Sequence, residues 1–337
     1  MTKTILALDI GGANLKAADG HGWCHTEPFA MWRFPQQLPE ALRRIVALRD
    51  DCRRVVVTMT GEIADCFSSR RDGVTRIVAA VEEACSDRSV GVYLVDGTIV
   101  TTAEAVRRSA EAAASNWHAL ATYAAWLVRP ARGLLVDVGS TTVDIVWLEE
   151  GQPRPRGRDD VSRMASGELV YTGIERTPLA SIVHELPWRG RLHSIARERF
   201  ADAQDAWVVL GLELAGAGDT ADGRPLDRGS AVARLGRMLL LDPEDFTLAD
   251  ARAAAEFVAT AQARLVAQQL KRVASAFAGR PDVIVLSGHG ESLARRSLQQ
   301  LDWSGCRVTS LQQEAGPDAS RVGPAHALAL IAAGRLC

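Results

Sequence analysis

Ile5-Leu-Ala-Leu-Asp9-Ile-Gly11-Gly12-Ala-Asn14-Leu-Lys16 opens the chain, and Leu134-Leu-Val-Asp137-Val-Gly139-Ser140-Thr141-Thr142-Val-Asp144 returns the same pattern at mid-chain. Each stretch reads as an apolar strand, a tight glycine turn and a second strand. The aspartate closing the first strand can face a metal ion or its water. Glycine lets backbone N–H groups approach phosphate oxygens with no Cβ in the way. One such stretch is also an ordinary hairpin turn. Two, each starting a similar string of elements, point to a duplicated fold around a phosphorylated ligand.

Working outward, residues 4–9, 14–19 and 23–27 read as three strands, with Asp19-Gly20-His21-Gly22 turning the last pair. A helix over 38–49, a strand at 54–58, a helix over 72–86 and a strand at 91–95 follow, and helical pattern covers 102–128 up to Pro130. The second half restarts at 133–138 and 142–148, followed by an Arg/Pro-rich loop at 152–158. Apolar spacing then gives a long helix over 248–277, a strand at 282–286, a helix from 290, a strand at 306–310 and a closing helix at 322–335. The expected domains are 1–130 and 131–321, with an insertion at about 155–245, and the closing helix (322–337) is expected to return to the first domain.

Apolar residues make up 47% and charged residues 24% of the 337, the profile of a soluble globular chain able to bury two cores. A net charge of −2, with arginine spread along the whole length, argues against nucleic acid or an anionic membrane as partner. No apolar run approaches the roughly 20 residues of a membrane span. The start runs straight into a strand, and the six cysteines (24, 52, 66, 85, 306 and 337) lack paired spacing. The expectation is a cytoplasmic protein with reduced thiols and no signal peptide.

Three segments carry the candidate chemistry. Asp9, Gly11, Gly12, Asn14 and Lys16 form one phosphate cradle, and Gly139, Ser140, Thr141 and Thr142 add hydroxyl donors in the second. Val283-Ile-Val-Leu-Ser287-Gly288-His289-Gly290-Glu291 is a strand entering a helix through Gly-x-Gly, so Gly288 and Gly290 offer a third phosphate contact. Asp9 and Asp137 are candidate ligands for Mg²⁺, with Asp219 and Asp222 as a second acidic pair beside Arg224. Glu62 and Asp65 follow the strand ending at Thr58, where they read either as a catalytic base or as solvated carboxylates starting a helix. His21, Cys24 and His25 sit on a hairpin whose alternate side chains diverge, a strained arrangement for a metal.

These turns, with Thr58-Met-Thr-Gly-Glu62-Ile-Ala-Asp65-Cys66-Phe67, Ser115-Asn116-Trp117, Ala165-Ser-Gly-Glu168-Leu-Val-Tyr171-Thr-Gly173 and Asp219-Thr-Ala-Asp222-Gly223-Arg224, resemble the hydantoinase/oxoprolinase-like branch linked to tetrahydromethanopterin-dependent one-carbon transfer. The wider superfamily is that of sugar and acetate kinases, heat-shock ATPases and actin. The resemblance implies an α/β fold of two ribonuclease-H-like domains around a central cleft. It also implies a transferase of methanofuran-type cofactor biosynthesis. In that reaction an aminomethylfuran-methyl diphosphate condenses with the phenol of γ-glutamyltyramine, or a tyrosine analogue, forming an ether and releasing diphosphate. Mg²⁺ and small-molecule substrates are implied, and Asn116, Glu168, Tyr171 and Arg224 become candidate substrate contacts. Asn116 reads equally well as a helix cap, and Trp117 as packing. Two alternatives stay open: an ATP-dependent small-molecule kinase or ligase, and a non-catalytic nucleotide-binding scaffold. ATP use and a homodimer are undecided by the sequence.

Overall fold

The computed structural model describes residues 4–212, 219–277 and 279–336. The first half lays down β1 (Ile5–Ile10), β2 (Asn14–Ala18), β3 (Cys24–Pro28), α1 (Leu38–Ala47), β4 (Arg54–Met59), α2 (Arg70–Ala84), β5 (Ser89–Tyr93) and β6 (Ile99–Val100). They form one sheet in the order β3-β2-β1-β4-β5-β6. The first three strands run antiparallel, and β4 and β5 lie parallel to β1. The parallel strands read as unbroken apolar runs because helices cover both faces. One face packs Leu6, Leu8, Val55 and Val57 on Leu42, Ile45, Val74 and Ile77 of α1 and α2.

The helical stretch after β6 is three helices rather than one: α3 (Thr102–Arg107), α4 (Ser109–Ala112) and α5 (Asn116–Val128). Periodicity stays helical across 113–115, but Ala114 is left-handed at φ 48°, a conformation costing on the order of 1 kcal/mol for a non-glycine residue. The break delivers the Ser115 hydroxyl to Thr58 at the end of β4, 2.8 Å away and buried.

The second half repeats the plan. It contains β7 (Gly133–Val138), β8 (Val143–Glu149), β9 (Gln152–Pro153), α6 (Asp160–Ser166) and β10 (Leu169–Val170). Next come α7 (Leu179–Ile182), β11 (Glu185–Trp188), β12 (Arg191–Ser194), α8 (Ala203–Val209), α9 (Arg228–Met238) and α10 (Leu248–Ser275). The end is β13 (Val283–Ser287), α11 (Glu291–Leu298), β14 (Arg307–Ser310), α12 (Leu311–Ala315), α13 (Pro317–Arg321) and α14 (Gly323–Ala332). Its sheet runs β10-β8-β7-β13-β14, the order β3-β2-β1-β4-β5 over again. Two α/β domains of ribonuclease-H-like topology therefore stand side by side. The third strand, β10, lies inside the stretch read as an insertion, so the added segment starts after it.

That segment has its own core of Leu179, Leu186, Val209, Leu235, Met238 and Phe246. Helix α10 joins it to the sheet: Ala251, Ala254 and Val258 pack in the segment, while Ala263, Val266 and Leu270 pack under the second sheet. Leu328 and Ala329 of α14 pack with Ile5, Ala7, Val56 and Tyr93 on the other face of the first sheet. No helix among the described residues is long and apolar enough to cross a membrane.

One helical glycine ties this frame to the cleft. A Cβ on Gly73 of α2 would fall 2.3 Å from the Glu62 carbonyl oxygen and 2.7 Å from its Cα. Gly73→Ala should therefore lose about 1–3 kcal/mol by overpacking, although alanine is the better helix former. Urea unfolding of the variant checks this.

Candidate active site in the interdomain cleft

The two glycine turns are built alike. Gly11 N–H donates to the Asn14 carbonyl at 3.0 Å, and Gly139 N–H to the Thr142 carbonyl at 2.9 Å. The turn carbonyls are taken by the segments that follow. Met31 donates to Gly12, Ile174 to Gly139, and both Glu175 and Arg176 to Ser140. Among the described residues no backbone acceptor takes the amides of Gly12, Ala13, Ser140 or Thr141. A Cβ on Gly12 would meet nothing within 4 Å, so its own fold does not require glycine there. That open space beside unpaired amides suits an anion.

Strand register sets the charges. Asp9 stands opposite Lys16, and at the equivalent place Asp137 stands opposite Asp144. Burial raises the Asp9 carboxyl above its ordinary range while Lys16 opposes it, and Asp9 Oδ1 is buried without a partner. Asp137 is pushed up to about 6 by burial and by Asp144, against Ser287, Lys16 and His289. Lys16 lowers both turn aspartates, and Arg176 over the Trp32 ring brings the segment fastened to the second turn against the one fastened to the first. Asp9 and Asp137 fit a Mg²⁺ ion, which takes one or two carboxylates together with phosphate oxygens and water. No preformed cluster of three or more metal-capable side chains occurs among the described residues, at Asp219 and Asp222 or at His21, Cys24 and His25.

Asp144 is held by Arg163, 2.8 Å away and fully buried. The Arg163 guanidinium lies 3.9 Å from the centroid of the Trp117 ring and donates to the Glu168 carbonyl at 3.1 Å. This stack ties α5 to β8 and gives Trp117 a packing role. Across the same cleft Arg176 covers the Trp32 ring, and Arg70 pairs with Asp160.

Glu62 and Asp65 part company. Glu62 is 1% exposed on a single helical turn after β4, and its Oε2 has no partner. Burial pushes its carboxyl up to about 7; Arg70 pulls it back and Asp160 adds to the rise. Asp65 is exposed to solvent.

The hydantoinase/oxoprolinase family model (Hydantoinase_A) matches residues 53–184, the run from β4 to α7 that carries Glu62, Arg163 and the second turn. The (4-{4-[2-(γ-L-glutamylamino)ethyl]phenoxymethyl}furan-2-yl)methanamine synthase of Methanocaldococcus jannaschii is 30% identical over 333 residues, 96% of either chain. The chain belongs to that synthase family. The synthase of the same name from Methanococcus vannielii is 26% identical over 59% of this chain and 89% of its own. Among solved structures, an activator of 2-hydroxyisocaproyl-CoA dehydratase from Clostridium difficile with bound ADPNP aligns over 99% of this chain and 95% of its own. Its identity is 12% and its TM-score 0.45.

The remaining candidates in this family member are dispersed. Asn116 is the first residue of α5, after the N-cap Ser115, and its Oδ1 accepts from the Trp117 amide at 2.7 Å. Glu168 is interior, its carboxylate accepting from the Arg156 and Gly157 amides and the Ser166 hydroxyl. Tyr171 is 56% exposed. Asp219 and Asp222 lie in the added segment, committed to arginines: Asp219 is 3.8 Å from Arg199, and Asp222 is 2.9 Å from the buried Arg234 that also holds Asp205. Arg224 sits beside them, largely in solvent. Gly290 N–H is spent on the Val138 carbonyl. Sequence reasoning missed the Thr58–Ser115 hydroxyl pair, Arg163 and the Glu175–His289 pair. Asp144 alone had a signal, standing seven residues after Asp137 as Lys16 does after Asp9.

Glu62 makes stability depend on pH. Its folded value of about 7 lies above the ordinary 4.5, so folding favours the protonated carboxyl. The resulting penalty is absent below about 4.5, grows up to about 7 and is complete above it. Glu62→Gln removes that penalty. The variant should exceed the parent in stability at pH 8 by on the order of 3 kcal/mol, with the gap closing toward pH 5. Urea unfolding at the two pH values reads the difference.

Proposed function

We propose that this chain joins a furan and a phenol through an ether bond. An aminomethylfuran-methyl diphosphate is the donor, and the phenol of γ-glutamyltyramine or a tyrosine analogue is the acceptor. The carrying observation is Glu62, a buried carboxyl with an unpartnered oxygen at the end of β4, raised to about 7. A base of that strength removes a phenol proton better than an ordinary glutamate, since proton transfer gains as the two pKa values approach.

The bonds balance simply. The phenol oxygen forms a bond to the furan methylene carbon as that carbon's bond to diphosphate oxygen breaks. The leaving group takes the electron pair, and Glu62 takes the phenolic proton. The furan oxygen stabilises positive charge on the methylene. Lys16 and the amides of Gly12, Ala13, Ser140 and Thr141 receive the growing negative charge on diphosphate. Asp9 and Asp137 would hold Mg²⁺, which neutralises diphosphate charge when bound. Membership of the synthase family over nearly the whole chain supports the same substrates.

Pure protein, Mg²⁺, the furan diphosphate and each acceptor, incubated with and without ATP, should give ether and diphosphate without ATP by mass spectrometry. Turnover only with ATP would move the chain to a kinase or ligase reading. Glu62→Gln should lower kcat about 10²- to 10⁴-fold, and Asp65→Asn far less. Parent kcat/KM should fall as pH drops below about 7, where Glu62 is protonated.

A further inference from the structure

The second turn carries a pair of side chains that the transfer chemistry leaves unused. His289 Nε2 lies 2.9 Å from Glu175 Oε1. Both residues belong to segments fastened to that turn. Glu175 N–H donates to the Ser140 carbonyl at 3.1 Å, and Gly290 N–H to the Val138 carbonyl at 3.0 Å. The glycines flanking His289 set its height. Gly288 is left-handed at φ 81°, and a Cβ there would fall 2.2 Å from the Val138 oxygen and 2.9 Å from Asp137 Oδ1. A Cβ on Gly290 would fall 2.3 Å from Val138 Cγ1. The backbone thus lies flat on the end of β7, and the side chain carried between the two glycines is the His289 imidazole.

Three arginines near the turns already have partners. Arg163 is buried against Asp144, Arg70 is paired with Asp160, and Arg176 lies over Trp32. Lys16 already opposes both turn aspartates. A departing diphosphate carries more charge than one lysine offsets, and Glu175 occupies only one nitrogen of His289. We propose that His289, oriented by Glu175, binds the terminal phosphoryl group of the diphosphate donor through Nδ1. Both nitrogens of an imidazolium donate, so with Nε2 given to Glu175 the Nδ1 proton is left for a phosphoryl oxygen. The assignment rests on the diphosphate-transfer reading above.

Calorimetric titration with inorganic diphosphate and Mg²⁺, alongside steady-state kinetics, tests it on the parent, His289→Gln and Glu175→Gln. Loss of one charge-assisted hydrogen bond predicts diphosphate binding about tenfold weaker in His289→Gln. The donor KM should rise in parallel and the acceptor KM stay unchanged. Glu175→Gln should show a smaller loss and a shifted His289 ring ¹⁵N signal at an unchanged melting temperature. A parent that does not bind diphosphate overturns the assignment. So does His289→Gln with diphosphate affinity and donor KM within twofold of the parent; the contact is then a surface ion pair. Weakened diphosphate binding in His289→Gln by a parent that forms no ether would uphold the site and refute the transfer reading. Ether formation at an unchanged donor KM would do the reverse.

Discussion

A buried guanidinium pins helix α5 to the second sheet. Arg163 comes from α6 and meets Asp144 of β8, the face of Trp117 from α5 and the Glu168 carbonyl. A buried cation must find partners or cost several kcal/mol, so these groups are fixed in one arrangement. Asp144 in turn raises the Asp137 carboxyl beside it. The helix break at Ala114, which starts α5 in the right place for Trp117, also delivers Ser115 to Thr58. The start of α5 therefore meets both the buried Arg163 and the end of β4.

The charge balance of the cleft suits the Mg²⁺ and diphosphate proposed above. Lys16 acts on Asp9 and Asp137, Arg163 on Asp144 and Arg70 on Glu62, and burial lifts all four carboxyls above their ordinary ranges. Such an arrangement is unfavourable for the protein alone. It becomes sensible when a divalent cation brings a phosphorylated ligand among them. The open amides of the two turns point to the same ligand from the backbone side.

Legibility followed sequence distance. The hairpins, their aspartates and Lys16 were readable because strand, turn and strand are contiguous, and register follows from turn length. The duplicated topology was readable for the same reason. Glu62 stood out as a carboxylate after a strand, but nothing local separated it from Asp65 three residues on. Burial on the helical turn over Gly73 separates them. The acidic pair at Asp219 and Asp222 looked like a metal site because its partners Arg199 and Arg234 lie in other elements.

The sequence by itself determined two ribonuclease-H-like sheets, each with a glycine turn and an aspartate at its first strand's end, because those features are set by neighbours along the chain. The tertiary structure decided which carboxylates lose their water, which arginines are spent on them and where the helical run after β6 breaks. Those outcomes depend on desolvation and on contacts between residues tens to more than a hundred positions apart, such as Glu175 with His289 and Arg70 with Asp160. Periodicity carries no record of such pairs.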